Sequence, residues 1–352
     1  MNEATNVNEA APPARLEDDL LGVLRAATAT PSLAFASAPT RLSGGFWAEL
    51  VSFRLAGAPP GWDHQLVARV MPDAATAAKE TVVQAEVAAH GFPTPRVRLS
   101  GDPDAGLGRA FMVMDLATGE PLLAGLSGMA AIVRLPALAR TLPSTLADAM
   151  ARLHALDAEP VRRRLEATGS PAPDLIALVA TLADSAARAN RSDLAAAAHW
   201  LSDHRPADAP EVVCHGDLHP FNVLLDAATG ATVLDWSASL LGPAAYDVAF
   251  TSLLLAEPPL ALPGAARPPV RAAGRFLARR FVRHYERVSG APVDPTSLRW
   301  HQSVVCLRSL VEVATWSAAG ELDGRRGHPW LVSGQFFARR LSSITGVAVS
   351  PV

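Results

Sequence analysis

A chain of 352 residues, 49% hydrophobic and 18% charged, is long enough to bury one or two sizeable cores and too apolar to be disordered throughout. A net charge of −3 gives no electrostatic reason to expect nucleic acid as a partner, and two cysteines, Cys214 and Cys306, cannot build a disulfide framework. No apolar run approaches the ~20 residues of a membrane span, so a cytoplasmic protein is expected.

In chain order, residues 1–14 are polar with no apolar stretch, which predicts a disordered tail and not a signal peptide. Leu16, Leu20, Leu21 and Leu24 recur at helical spacing. Gly44 and Gly45 mark a turn, and strands are predicted over 50–55 and 65–70, separated by a Pro- and Gly-rich loop. The alanine-rich segment from Ala74 to His90 predicts a helix closed by Gly91. Two further strands are predicted at 97–99 and 110–114. The remainder reads as helical, broken by one loop region with two short strands and by proline pairs at Pro258–Pro259 and Pro268–Pro269. Strands with one helix, followed by mostly helix, describe an α+β protein of two lobes. The boundary falls near Asp115 to Pro121, giving an N-terminal lobe over 15–117 and a C-terminal lobe over 118–352.

The chemistry is concentrated in His215-Gly216-Asp217-Leu218-His219-Pro220-Phe221-Asn222, followed by Leu234-Asp235-Trp236. Asp217 and Asn222 stand five positions apart, the spacing between base and amide in the catalytic loop of protein kinases. Asp235 lies 13 residues beyond Asn222, where a hairpin would return the chain beside the loop. Phosphoryl transfer asks for this set: one carboxylate to orient the acceptor hydroxyl, and an amide with a second carboxylate to hold Mg2+ against nucleotide phosphates. His215 and His219 have the spacing of a zinc pair on a helix, but Gly216 and Pro220 argue against a helix there. No G-x-x-x-x-G-K-[ST] motif occurs, which excludes a P-loop NTPase.

With His-Gly-Asp in place of His-Arg-Asp, the segment resembles the aminoglycoside phosphotransferase family, a kinase-like group that phosphorylates small molecules and includes choline and homoserine kinases. The stretch Gly242-Pro243-Ala244-Ala245-Tyr246-Asp247-Val248-Ala249 is similar to that family's G-x-P-x-x-D-x-A, and Leu153-His154-Ala155-Leu156-Asp157 to its LHxxD helix end. The resemblance implies a bilobal protein-kinase-like fold, with a small antiparallel-sheet N-lobe carrying one helix and a larger, mainly helical C-lobe. It implies Asp217 as catalytic base, Asn222 and Asp235 as Mg2+ ligands, and His215 and Asp247 as supports of the loop. Ser43, Gly44 and Gly45 take the place of a phosphate loop, although Trp47 stands where a small polar residue is usual. Arg69 takes the place of the phosphate-binding lysine, paired with Glu80, and adenine is expected against Asp115 and Leu116. Lys79, the one lysine of the chain, neighbours Glu80 and should point about 100° away from it around the helix, which makes it a poor substitute.

The expected activity is transfer of the γ-phosphate of ATP, or GTP, to a hydroxyl of a small molecule. The alternative is a non-catalytic, nucleotide-binding pseudokinase. For the acceptor, residues from Ala151 onward carry 20 arginines against 19 acidic residues, no excess of negative charge to suit a polycation. Arg271, Arg275, Arg279 and Arg283 form a stripe on a helix that is either solvated or a cradle for an anionic hydroxy acid or hydroxyacyl-CoA. Trp300, Trp316 and Trp330 are expected in the core, with an apolar acceptor pocket as the other reading.

Overall fold

The computed structural model describes residues 14–42, 48–123, 128–169, 174–207, 209–259 and 267–351. The glycine-rich residues Ser43, Gly44 and Gly45, with Trp47, lie outside the described residues.

The first helix, α1 (Ala14–Thr28), buries Leu16, Leu20 and Leu24 at the helical period. Seven strands follow, around one helix. They are β1 (Ala34–Phe35), β2 (Thr40–Leu42), β3 (Glu49–Phe53), β4 (Leu55–Ala56), β5 (Leu66–Met71), β6 (Val97–Gly101) and β7 (Ala110–Asp115), with α2 (Ala74–Ala89) between β5 and β6. Five of these strands form an antiparallel sheet in the order β2-β3-β5-β7-β6, and β1 pairs with β4. The central strand β5 is buried along its whole length because both faces of the sheet are covered. Leu66, Ala68 and Val70 turn towards the leucines of α1, in one core with Val51, Phe53 and Phe111. Strand alternation therefore places Val67, Arg69 and Met71 on the face covered by α2. The lobe carries two helices where the resemblance implied one, since α1 supplies half of its core. Asp73 caps α2 by accepting from Thr76 N at 2.7 Å, and Gly91 turns the chain out of it with a φ of +78°.

Beyond β7 the chain becomes mainly helical. A short strand, β8 (Glu120–Pro121), precedes α3 (Gly128–His154), α4 (Glu159–Ala167), α5 (Leu175–Arg188) and α6 (Ser192–Asp203). Then come β9 (Glu211–Cys214), β10 (Val223–Asp226), β11 (Gly230–Val233) and β12 (Leu240–Pro243), and α7 (Ala245–Ala256), α8 (Arg267–Ser289), α9 (Pro295–Ala318) and α10 (Pro329–Thr345) close the fold. β9 pairs with β12, while β10 pairs with both β11 and β8, so the loop region carries four short strands and not two. The pair Pro268–Pro269 does not separate helices. It sits in the first turn of α8, where a proline loses no intrahelical bond. α9 is buried on nearly every side, which explains its weak amphipathic pattern, and it packs against α5, α6, α7 and α10. No described helix is long and apolar enough to cross a membrane.

Candidate active site

The loop between β9 and β10 carries Asp217 and Asn222, and the turn between β11 and β12 carries Asp235. One backbone and one side-chain link set them side by side. Leu234 N donates to Asn222 O at 2.8 Å, stitching the two segments together immediately before Asp235. Asn222 Nδ2 donates to Asp217 O at 3.0 Å and to Asp217 Oδ2 at 3.2 Å, so carboxylate and amide are fixed relative to each other. Asp235 has a φ of +63°, a left-handed conformation that Asp tolerates better than most residues.

The loop is held from below. Asp247, at the start of α7, accepts from His215 N and Gly216 N, both at 2.7 Å, and His154 Nε2 lies 3.2 Å from the same carboxylate. Burial would raise the Asp247 carboxyl, but His154, His215 and the backbone donors hold it below its ordinary range. His154, Cys214 and Asp247 form a tight group that could be read as a metal site. Both Asp247 oxygens are spent on the loop, and burial pushes the Cys214 thiol well up, so the group acts as a bracket. His215 Nε2 donates to Leu234 O at 3.0 Å and Nδ1 accepts from Asp217 N at 3.2 Å. Burial lowers its pKa, so His215 is a neutral strut with no nitrogen left for zinc. Gly216 is required here: its φ is +74°, and a Cβ would lie 2.1 Å from Ala238 O.

From the sheet, Arg69 Nε lies 3.1 Å from Glu80 Oε1 and Nη2 lies 3.3 Å from Asp235 Oδ1. The Arg69–Glu80 pair is hydrogen-bonded from Arg69 Nη2 to Glu80 Oε2 at 3.4 Å, while Arg69 Nε and Glu80 Oε1 have no well-directed partner. Burial pushes Glu80 up to about 7, with Arg69 opposing it. Burial would also raise Asp235, but Arg69 and two bonds from Ser237 hold it low, and it remains ionised. All these contacts fall on Oδ1: Ser237 N at 3.2 Å, Ser237 Oγ at 2.6 Å and Arg69. No described group bonds to Asp235 Oδ2 or to the carbonyl oxygen of the Asn222 side chain. Two hard oxygens left open beside an ionised carboxylate suit Mg2+, which keeps several waters and takes few protein ligands.

Asp115 contributes differently from what its place in the chain suggests. Its carboxylate accepts from Arg98 at 2.6 and 2.9 Å and lies 2.7 Å from His64 Nε2. Its N–H goes to Arg96 O and that of Leu116 to Gln65 O, both at 3.0 Å. Neither amide is free for a base. No bond to the Leu116 carbonyl is seen among the described residues.

Three residues that the sequence left aside reach the site. Lys79 points away from Glu80, yet this turns it into the cleft, where Nζ donates to Ser237 O at 2.6 Å. His219 Nε2 lies 3.6 Å from Asp217 Oδ2. Arg308, on α9, donates through Nη1 to Gly216 O at 2.8 Å and to Tyr246 Oη at 3.3 Å. Lys79 had a signal in being the sole lysine; Arg308 had none, being 92 residues from its partner. The arginine stripe lies elsewhere: Arg271 bonds Glu257 at 2.6 Å, and Arg275, Arg279 and Arg283 are exposed. The three tryptophans belong to the helical core.

Comparison with known proteins agrees with this architecture. Residues 38–290 match the phosphotransferase enzyme family, APH. A stretch of 202 residues is 30% identical to the homoserine kinase of Beijerinckia indica subsp. indica, covering 47% of this chain and 62% of that protein, so the match spans less than two thirds of the kinase. The fold is similar to that of a candidate aminoglycoside phosphotransferase from Ralstonia eutropha JMP134, with a TM-score of 0.65 at 19% identity over 94% of this chain and 97% of that one. It is also similar to aminoglycoside phosphotransferase APH(4)-Ia, crystallised as a ternary complex with ADP and hygromycin B, with a TM-score of 0.57 at 18% identity over 94% of this chain and 99% of that one. At such identities these structures speak for the kinase-like, two-lobed fold. With the family match running over well more than half of its length, the chain belongs to the phosphotransferase enzyme family.

Proposed function

We propose that the protein is an ATP- and Mg2+-dependent O-phosphotransferase whose acceptor is the hydroxyl of a small molecule. The observation that carries this reading is the pairing of Asp217 with Asn222 beside an Asp235 whose second oxygen is open. The nucleotide-bound and antibiotic-bound neighbours, together with the homoserine kinase relative, support the same class of chemistry.

Asp217 orients the acceptor hydroxyl. As the hydroxyl oxygen forms its bond to the γ-phosphorus and the bond to ADP breaks, the hydroxyl proton passes to the Asp217 carboxylate. Asn222 Oδ1 and Asp235 Oδ2 would hold Mg2+, which neutralises charge on the phosphates. Arg69, anchored by Glu80 and Asp235, presents its cation to the same phosphates, and the Leu116 carbonyl is the hinge group open to adenine. Within this reading the lobes meet at residues 117–118.

Replacing Asp217 with Asn should lower kcat at least ~10²-fold, the contribution of a positioned base, while Mg·ATP affinity stays within a few-fold. Equal kcat in variant and parent would remove Asp217 from this role. Thermal-shift titration with ATP tests the wider reading. Stabilisation should require Mg2+, and stabilisation indifferent to Mg2+ would favour a non-catalytic nucleotide-binding protein.

A further inference from the structure

Two cations with bonding capacity to spare stand beside the Asp217 and Asp235 segments, Arg308 on the Gly216 carbonyl and Lys79 on that of Ser237. Arg308 spends Nη1 on Gly216 O and Tyr246 Oη. Its Nε–Nη2 edge has no hydrogen-bond partner among the described residues, although the side chain is half-buried. That edge is the planar fork that meets a carboxylate through two parallel bonds. Lys79, from the opposite lobe, is also half-buried and makes one bond, to Ser237 O. The two cations are near enough to feel each other: burial first, and then Arg308, pushes Lys79 down to about 8. Arg308 keeps its charge despite burial because Tyr246, Asp217 and Glu312 surround it.

The acidic groups nearby are, by contrast, largely committed. Glu312, one helical turn beyond Arg308, accepts from Trp330 Nε1 at 3.0 Å and faces the Arg308 charge. Asp217 is needed for the acceptor hydroxyl, and Asp235 faces Arg69 and the metal position. A polycationic acceptor would require several uncommitted carboxylates here; what remains uncommitted is guanidinium and ammonium.

We propose that the Nε–Nη2 edge of Arg308, with Lys79 across the cleft, binds a carboxylate of the acceptor and so delivers a hydroxyl on the same molecule to Asp217. The acceptor class is then a small hydroxy acid. This rests on the phosphotransferase reading above and adds a specificity-determining residue to it.

The test is ADP release from Mg·ATP with 3-hydroxybutyrate, glycerate and homoserine, each beside its uncharged alcohol or amide counterpart, with glycerol 3-phosphate as the phosphate-bearing arm and hygromycin B as the polycation. At least one carboxylate acceptor should exceed its uncharged counterpart in kcat/KM by about tenfold or more, the worth of a charge-assisted pair. Arg308→Met should erase that margin by raising acceptor KM, with KM for Mg·ATP unchanged within about twofold and Arg308→Lys restoring part of it. Lys79→Met provides a second reading if Arg308→Met fails to fold, and should narrow the same margin. Preferred turnover of an uncharged, phosphorylated or polycationic acceptor would overturn the inference, as would a carboxylate preference that survives in Arg308→Met and Lys79→Met. Turnover of no carboxylate acceptor by a protein that Mg·ATP still stabilises would overturn it too. Failure of Mg·ATP to stabilise the parent at all would instead remove the phosphotransferase reading beneath it.

Discussion

Arg69 ties Glu80 on α2 to Asp235 on the opposite lobe, a double engagement that a lysine, with a point charge on a narrower head, cannot reproduce. Under the proposed function, Arg69→Lys should therefore keep charge at the phosphates but loosen the cross-lobe tie. The expected outcome is a several-fold higher KM for Mg·ATP and about 1–2 kcal/mol less stability in urea titration, in the range of a lost charged hydrogen bond. His301 makes a separate prediction. It is buried in α9, its Nδ1 lies 2.7 Å from Ser297 O, its Nε2 has no partner, and burial pushes it down to about 4. Between pH 6.5 and 4 the unfolded chain binds a proton there that the folded chain does not, so folding stability from this group is complete above pH 6.5 and declines as pH falls. His301→Leu removes that one proton. Its stability measured against the parent should improve by about 1.4 kcal/mol per pH unit over the middle of this window, and a difference independent of pH would show that His301 is not neutral in the fold. At this scale, the Asp217, Asn222 and Asp235 positions were legible because their spacing is local and chemically unusual. Lys79 and Arg308 were not, because neither their direction nor their partners are encoded near them.

Elements with a strong period were legible as well: the leucines of α1, the alanines of α2 and the apolar runs of β3 and β5 all read directly from the chain. The short strands β8 and β12 were not, since two to four residues carry no period and their pairing partners lie far along the sequence. The proline pair in α8 reads as a break only until its first-turn position is known. α1 lies before the family match, which begins at residue 38, yet Leu20 and Leu24 are fully buried on the sheet. Leu20→Ala should therefore cost about 2–5 kcal/mol, as a core truncation does, in a cooperative denaturation experiment. A cost under about 0.5 kcal/mol would mean that α1 is not part of the lobe's folding unit.

For the molecule as a whole, the two-lobed arrangement was visible from the order of strands and helices, while the contacts between lobes were not. Those contacts have a mechanical meaning. Val233 N donates to Pro93 O at 2.8 Å and Trp236 Nε1 to Thr94 Oγ1 at 2.9 Å, with Phe92 edge-on to the Trp236 ring. A second junction is the face where α2 packs on α4, with Val83 and Val87 in one core with Leu146, Met150 and Leu165. Both junctions fall on one stretch of chain, from Val83 in α2 to Thr94. Tilting of the sheet is therefore confined to this seam, because sliding or twisting across the lower lobe would lift α2 off α4 and unseat the Trp236 indole. Entry and exit of a nucleotide should then be a single-axis swing whose outer edge is the β2–β3 side of the sheet, with the Arg69–Asp235 contact serving as the latch.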